Sequence, residues 1–499
     1  MQVPEPWSVP VPLEFVDSIN RSVISGLKWV TVSRVLAQAL TWINTFFVIR
    51  LLSPTDFGLA ALAGIFANFL SLMNELGFSV TLVRWQIRDE ETLRHVFGTL
   101  LLVGIVFTLG LLLAAPVFGV LTKEPRIVPL IRFISIQFLT MSFAVIPQAR
   151  LSMDMRFKQL GIADVIASVM GAAVTLVVAL RGGGAWSLIV GTVALTVSRT
   201  VLLNIFSSSL RAPRLQWAKL RHLAGFSGLV LLEKTLWYWY MQIDSFVVGR
   251  FLGAAELGVY AVGRQLTNIP LERAMGIINS VALPAFSLVQ GDRDRVRAGY
   301  LKILRLGAAY AFPVFWGLAA VSDPLVRLVI GAKWIASVMV IQLLCISMPL
   351  RMLNSFTAAA VTAIGRQDVN IKSLLLAIVV LPSSVLIGCR WGVTGVAAAW
   401  AIAFPLVYLF NASLVRGALD ITLREMFIAV SPPAAAGATM VLATITLNRL
   451  CLDSLSPLLH TAVAVPFGAA VFIATLWALS REAALEMLSL ARNFASSER

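Results

Sequence analysis

The sequence predicts an all-α integral membrane protein of about 14 transmembrane helices, built as two pseudo-twofold six-helix lobes plus two extra C-terminal helices. Three observations carry this class. Charged residues are 13% of the 499 and hydrophobic residues 59%, whereas about a quarter of a soluble chain is charged. Mean hydropathy is +0.87, and apolar stretches of about 20 residues recur along the chain, each able to cross a hydrocarbon core roughly 30 Å thick. The third observation is an internal duplication. Arg50-Leu51-Leu52-Ser53-Pro54-Thr55-Asp56-Phe57-Gly58 returns 200 positions later as Arg250-Phe251-Leu252-Gly253-Ala254-Ala255-Glu256-Leu257-Gly258. The same offset pairs Asn68 with Asn268 and, inside an apolar segment, Arg34 with Lys234.

Taken in order, residues 1–25 hold Pro4, Pro6, Pro10 and Pro12 with three acids. They lack the basic start and continuous apolar run of a signal peptide and read as a cytosolic leader. The N-lobe is expected over 26–206, with spans near 27–49, 57–81, 97–121, 127–149, 160–180 and 184–206. A basic inter-lobe loop, 207–225, precedes the C-lobe at 226–415, with spans near 226–250, 257–288, 303–322, 335–363, 370–389 and 393–415. Two more spans, near 427–448 and 458–479, fill 416–480, and 481–499 is a cytosolic tail. The spans at 257–288 and 335–363 are overlong and must project or bend, with Pro270, Pro284 and Pro349 as candidate bends.

Charge sets the orientation. Arg84, Arg88 and Arg94, then Arg150, Arg156 and Lys158, then Arg211, Arg214, Lys219 and Arg221, fall in alternate loops. The positive-inside rule puts those loops and both termini in the cytosol. The net charge of +15 is therefore a topology signal, and no nucleic-acid partner is implied. An even number of spans separates the two copies, so they run in the same direction and are related by an axis along the membrane normal. Arg181-Gly182-Gly183 and Arg390-Trp391-Gly392 are a weaker echo of the repeat.

Cys345, Cys389, Cys451 and the three His are scattered through apolar sequence, which implies neither disulfides, nor a metal, nor a cofactor. Gly182-Gly183-Gly184 lacks the Lys of a phosphate loop and reads as a turn. The sequon Asn411-Ala412-Ser413 lies within a span, and Gly249 and Gly253 are spaced for close helix packing.

Polar groups inside the spans are the functional candidates. Thr31, Arg34, Gln38, Thr41 and Thr45 follow one face of the first span; Lys234, Tyr238 and Ser245 answer in the seventh, with Glu233, Gln242 and Asp244 beside them. Asn68, Ser71, Glu75 and Ser79 line the second span, and Arg264, Asn268 and Glu272 the eighth. An ionised side chain deep in a bilayer costs several kcal/mol and must face a wet cavity or a partner. Two readings stand: the cations line a cavity between the bundles, or Lys234 pairs locally with Glu233 while Arg34 snorkels to the surface. Arg34, Gln38, Asn68, Lys234, Arg264 and Asn268 are the candidate substrate ligands, and Glu75, Asp164 and Asp244 the candidates for ion coupling. Arg132, Arg199 and Arg351 read as single cations in apolar surroundings. A duplicated multi-span protein of this kind reads first as a transporter.

The run from Phe47 to Gly58, with Glu75-Leu76-Gly77-Phe78, resembles the first-repeat signature of Wzx-type polysaccharide flippases. So do Met153-Asp154-Met155-Arg156-Phe157-Lys158, Asp244 to Ala254, Leu257-Gly258-Val259-Tyr260 and Pro284-Ala285-Phe286-Ser287. The resemblance spans about residues 25–420, and Ala254-Ala255 departs from the Ser-Pro of the first repeat. It implies the multidrug/oligosaccharidyl-lipid/polysaccharide exporter superfamily, with two six-helix lobes around a central cavity. It further implies a bacterial inner-membrane flippase carrying undecaprenyl-pyrophosphate-linked oligosaccharide for exopolysaccharide, capsule or O-antigen synthesis. Its partners would be that substrate, membrane lipids, and a polysaccharide polymerase with its export machinery. The alternatives are export of lipid II or drugs within the same superfamily, or a membrane-embedded polymerase or ligase. The enzyme reading is weak, because the longest loop, 207–225, carries only Arg, Lys and His as reactive types.

Overall fold

The computed structural model describes residues 38, 41–74, 82–83, 85–207, 212–214, 227–288, 293–452, 456–487 and 489; side chains are described for the same residues except 72–74, 227–234, 276–293 and 451–452. Every regular element among them is helical. Nine stretches among the described residues are long and apolar enough to cross a membrane; of these, Gln367–Leu419 contains two α-helices and Ile127–Met153 three short ones. The all-helical membrane class is borne out; the count of 14 remains an expectation. Leu113, Val120, Ile402 and Phe427 are between 70% and 79% exposed, as side chains solvated by lipid rather than water must be.

The chain forms two compact units, which part between Trp239 and Tyr240; residues 53–58 group with the second. In the first unit, the part of α1 (Pro54–Asn74) from Leu59 onward is followed by α2 (Glu90–Leu121), then by three short helices, α3 (Ile127–Ile134), α4 (Ile136–Ser142) and α5 (Val145–Met153). The hairpin of α6 (Phe157–Leu180) and α7 (Ala185–Ser207) completes it. The start of α1 explains part of the duplicated motif. Ser53 Oγ accepts from the Asp56 N–H at 3.2 Å while Asp56 Oδ2 accepts from the Ser53 N–H at 3.2 Å, a reciprocal cap with Pro54 at the first helical position.

The sequence reads 127–149 as one span, but the helix breaks at Ser135 and again at Phe143 and Ala144. Carbonyls near the breaks find side-chain donors instead. Thr108 donates to the Ser135 carbonyl at 3.1 Å, Ser135 to Arg132 at 2.7 Å, and Asn204 Nδ2 to Phe143 at 2.9 Å. Irregular backbone at membrane depth is tolerated under that condition. At the far end of α2, Arg126 Nε and Nη2 donate to Glu124 at 2.7 and 2.8 Å. The paired guanidinium holds the Glu124 carboxyl below its usual range.

The second unit contains the end of α8 (Ser227–Phe251), α9 (Ala254–Leu288), α10 (Arg293–Ala320), α11 (Ser322–Val329), α12 (Ala336–Ala363), α13 (Gln367–Gly388), α14 (Gly392–Leu419), α15 (Leu423–Leu447) and α16 (Pro457–Leu479). At 35 residues and about 1.5 Å per residue, α9 is longer than a membrane core is thick, as its sequence implied. The two helices beyond residue 416 dock on α10: Ala309, Ala436, Met440, Phe472 and Leu476 form one buried cluster, and Arg305 reaches Glu482 at 2.8 Å. Gly253 corrects the packing reading of that residue. It lies outside both helices with φ at +92° and open space where a Cβ would stand, so it makes the α8–α9 turn.

One contact within the second unit carries the duplication. A Cβ on Gly58 would lie 1.7 Å from the Ala254 carbonyl oxygen, and a Cβ on Gly258 1.8 Å from the Pro54 carbonyl oxygen. Pro54 and Ala254, like Gly58 and Gly258, are 200 apart. The two helix starts cross backbone to backbone, and the contact reads the same in both directions. Phe57 packs beside it, edge-on to the fully buried Trp334 at 5.9 Å.

Candidate functional site

A polar cluster lies inside the second unit, where α8, α9, α12 and α14 supply side chains to one place. Asp244, 1% exposed, is its centre. Its Oδ1 accepts from Arg264 Nη1 at 3.0 Å and from the Ser245 N–H at 2.6 Å. Its Oδ2 accepts from the Tyr260 hydroxyl at 2.7 Å and from Trp400 Nε1 at 3.1 Å. A carboxylate has about four lone-pair positions, so protein donors saturate this one. Arg264 also donates to Gln242 at 3.1 Å, to Ser245 Oγ at 2.7 Å and to the Met241 carbonyl. Its guanidinium is held in place by protein acceptors.

Arg351 differs. It sits mid-helix on α12 with its guanidinium carbon 4.6 Å from the centroid of the Trp400 ring. Its other polar contacts are to soft sulfur, Met348 Sδ at 3.7 Å and Met241 Sδ at 4.0 Å. No carboxylate pairs with it among the described residues. Trp400 is therefore used twice, its N–H fixing Asp244 and its face carrying Arg351. One acid and two guanidiniums leave the cluster with one positive charge in excess. Asn268, one turn along α9 from Arg264, has a side-chain carbonyl oxygen that is buried without a partner among the described residues. Asn354 and Asn411 bond to each other beyond Arg351. An apolar groove of 630 Å³, lined by Met339, Trp391 and Ile402 among others, carries no charge.

The predicted site residues therefore divide. Arg264 and Asp244 come together, with Asn268 adjacent. Gln38 is half-buried and Asn68 exposed on its helix. Arg34, Glu75 and the Lys234 side chain lie outside the described residues. Asp164 and Arg199 pair with each other, Arg199 Nε donating to Asp164 Oδ1 at 2.7 Å and Nη1 to Gln148 at 3.1 Å. Arg199 is thus not the single cation that the sequence reading made it. Arg351 was noticed but not placed in the site. The missing signal is the pairing with Trp400, which lies 49 positions away and is invisible to helical periodicity.

Residues 47–339, more than half of the chain, match the family described as "Polysaccharide biosynthesis protein". The chain belongs to that family. Relatives extend the likeness beyond the matched segment. The succinoglycan biosynthesis transport protein ExoT of Rhizobium meliloti is 24% identical over 477 residues, covering 95% of this chain and 96% of that one. The lipopolysaccharide biosynthesis protein WzxC of Escherichia coli K12 is 24% identical over 400 residues, 80% of each chain. The teichuronic acid biosynthesis protein TuaB of Bacillus subtilis is 23% identical, covering 70% of this chain and 73% of that one. Among solved structures, a lipid II flippase, MurJ, in an inward closed conformation aligns with a TM-score of 0.69 at 13% identity over 91% of this chain and 99% of that one. An inward-facing multidrug MATE transporter of the MOP superfamily aligns at 0.60, with 17% identity, 79% and 99% coverage. At such identities these two show a shared fold: this family member has the helical transporter architecture that its sequence implied.

Proposed function

We propose that this protein is a flippase that moves undecaprenyl-pyrophosphate-linked oligosaccharide from the cytosolic to the periplasmic leaflet of the bacterial inner membrane, with both termini cytosolic. Family membership supports the pathway. The single observation that carries the substrate chemistry is the cationic excess around Arg264 and Arg351. A pyrophosphate crossing a bilayer must exchange its hydration for fixed donors, and guanidiniums supply them in planar pairs. Arg264, locked by protein acceptors, contributes field; Arg351, held by an indole face and two sulfurs, gives up little when it turns to a phosphate oxygen. The side-chain carbonyl of Asn268 is suited to a sugar hydroxyl. Arg34, Lys234, Gln38 and Asn68 complete the proposed set, on the offset of 200 that pairs Arg34 with Lys234 and Asn68 with Asn268. A polymerase and export machinery are the expected downstream partners.

Drug export is the weaker alternative. An organic cation needs an available carboxylate, and four protein donors already saturate Asp244, the acid of this cluster. The function is tested by expressing the gene in a strain deleted for its own polysaccharide flippase. Export of polymer should return, and lipid-linked oligosaccharide should cease to accumulate in the inner leaflet. Continued accumulation, with the protein present in the membrane, would refute the proposal.

A further inference from the structure

A second basic site lies in the first unit, at the end of the bundle where α2 starts, α5 ends, α6 starts and α7 ends. A cavity of 260 Å³ there is lined by Arg88, Arg150, Met153, Asp154, Arg156 and Ser207. Its three guanidiniums come from two stretches of chain, Arg88 ahead of α2 and Arg150 and Arg156 at the end of α5 and in the turn after it. Arg88 meets Asp154 at 2.9 Å and its Nη2 donates to the Met153 carbonyl at 3.5 Å; Arg150 meets Glu90 at 2.7 Å. Arg156 donates to the Phe206 carbonyl at 3.2 Å and has no carboxylate partner among the described residues. Three cations against two acids leave the rim with one charge in excess. The turn that presents Arg156 is built for it: Met155 takes φ of +52°, and the Met155 and Arg156 N–H groups return to Ser152 and Leu151 at 3.2 and 2.8 Å.

Two ion pairs alone would clip helix ends together without needing a third arginine or a cavity. The volume falls short of the roughly 300–1,000 Å³ of drug-sized sites, too little for an oligosaccharide but enough for a phosphate or pyrophosphate group. We propose that this cavity docks the phosphate or pyrophosphate head of an anionic lipid at the cytosolic surface, apart from the Asp244 cluster. The inference rests on the flippase reading only for its membrane side, since basic pockets at that level meet anionic head groups.

The full-length protein in nanodiscs tests it by hydrogen–deuterium exchange over residues 150–158. One arm compares phosphatidylcholine with phosphatidylglycerol nanodiscs; the other adds inorganic pyrophosphate to phosphatidylcholine nanodiscs. Protection by phosphatidylglycerol alone identifies a lipid head group, and protection by pyrophosphate alone identifies the phosphate chemistry free of a lipid. Arg156→Gln, which leaves both ion pairs intact, should weaken the effective ligand about tenfold or more, the scale of one charge-assisted hydrogen bond. Lys123→Gln, at the other end of α2, should change nothing. Absence of protection in both wild-type arms, or equal protection in Arg156→Gln, overturns the site. Polymer export in the flippase-deleted strain is scored separately, so a failed pocket and a failed transport reading remain distinguishable.

Discussion

Asp244→Ala is expected to remove most folded protein from the membrane. The substitution strands the Arg264 charge and takes the acceptor from the buried Tyr260 hydroxyl and Trp400 indole N–H. Breaking a buried ion pair by deleting one partner costs about 3–5 kcal/mol, and each orphaned donor about 1–3 kcal/mol. Against a total stability of about 5–15 kcal/mol, the sum is disabling. Asp244→Asn keeps an acceptor and should lie between. Asp244→Ala combined with Arg264→Met should recover part of the protein level, because the Arg264 charge is no longer stranded while the Tyr260 and Trp400 donors stay orphaned, yet not export. Fluorescence-detected size exclusion of heated, solubilised membranes reads all of these. An Asp244→Ala protein as heat-resistant as wild type would show that the cluster holds nothing together.

The second large effect is expected at the helix crossing. Gly58→Ala places a Cβ inside the Ala254 carbonyl and Gly258→Ala places one inside that of Pro54. Neither obstacle is a side chain that can swing away, so the helix starts must part. Overpacking of this kind costs about 1–3 kcal/mol. Because both substitutions open one contact, the double variant should cost clearly less than the sum. The same heating assay measures it. Full additivity would mean that the two glycines serve separate contacts.

The fold was legible because hydropathy answers to the solvent, and lipid demands long apolar helices whatever the tertiary contacts. The breaks at Ser135 and Ala144 were not, because the donors near them, Thr108 and Asn204, come from other helices. Gly253 misled by its spacing, since a turn glycine and a packing glycine look alike in sequence. At the site, periodicity found Arg264 and Asn268 as one stripe and flagged Asp244 separately. It had no means to join Asp244 to Tyr260 and Trp400, or Arg351 to Trp400, since these pairings span up to 156 positions. The pairing of Asp164 with Arg199 was hidden for the same reason.

The claim that the second unit binds pyrophosphate through Arg351 is tested most directly by the affinity of purified protein for undecaprenyl pyrophosphate in detergent micelles. Arg351→Ala should bind about 10–100-fold more weakly than wild type, the loss of a charge-assisted contact of about 1.5–3 kcal/mol. Arg351→Lys, which keeps the charge but not the planar pair of donors, should fall between. If Arg351→Ala is folded and binds as tightly as wild type, the cationic cluster is not the pyrophosphate site.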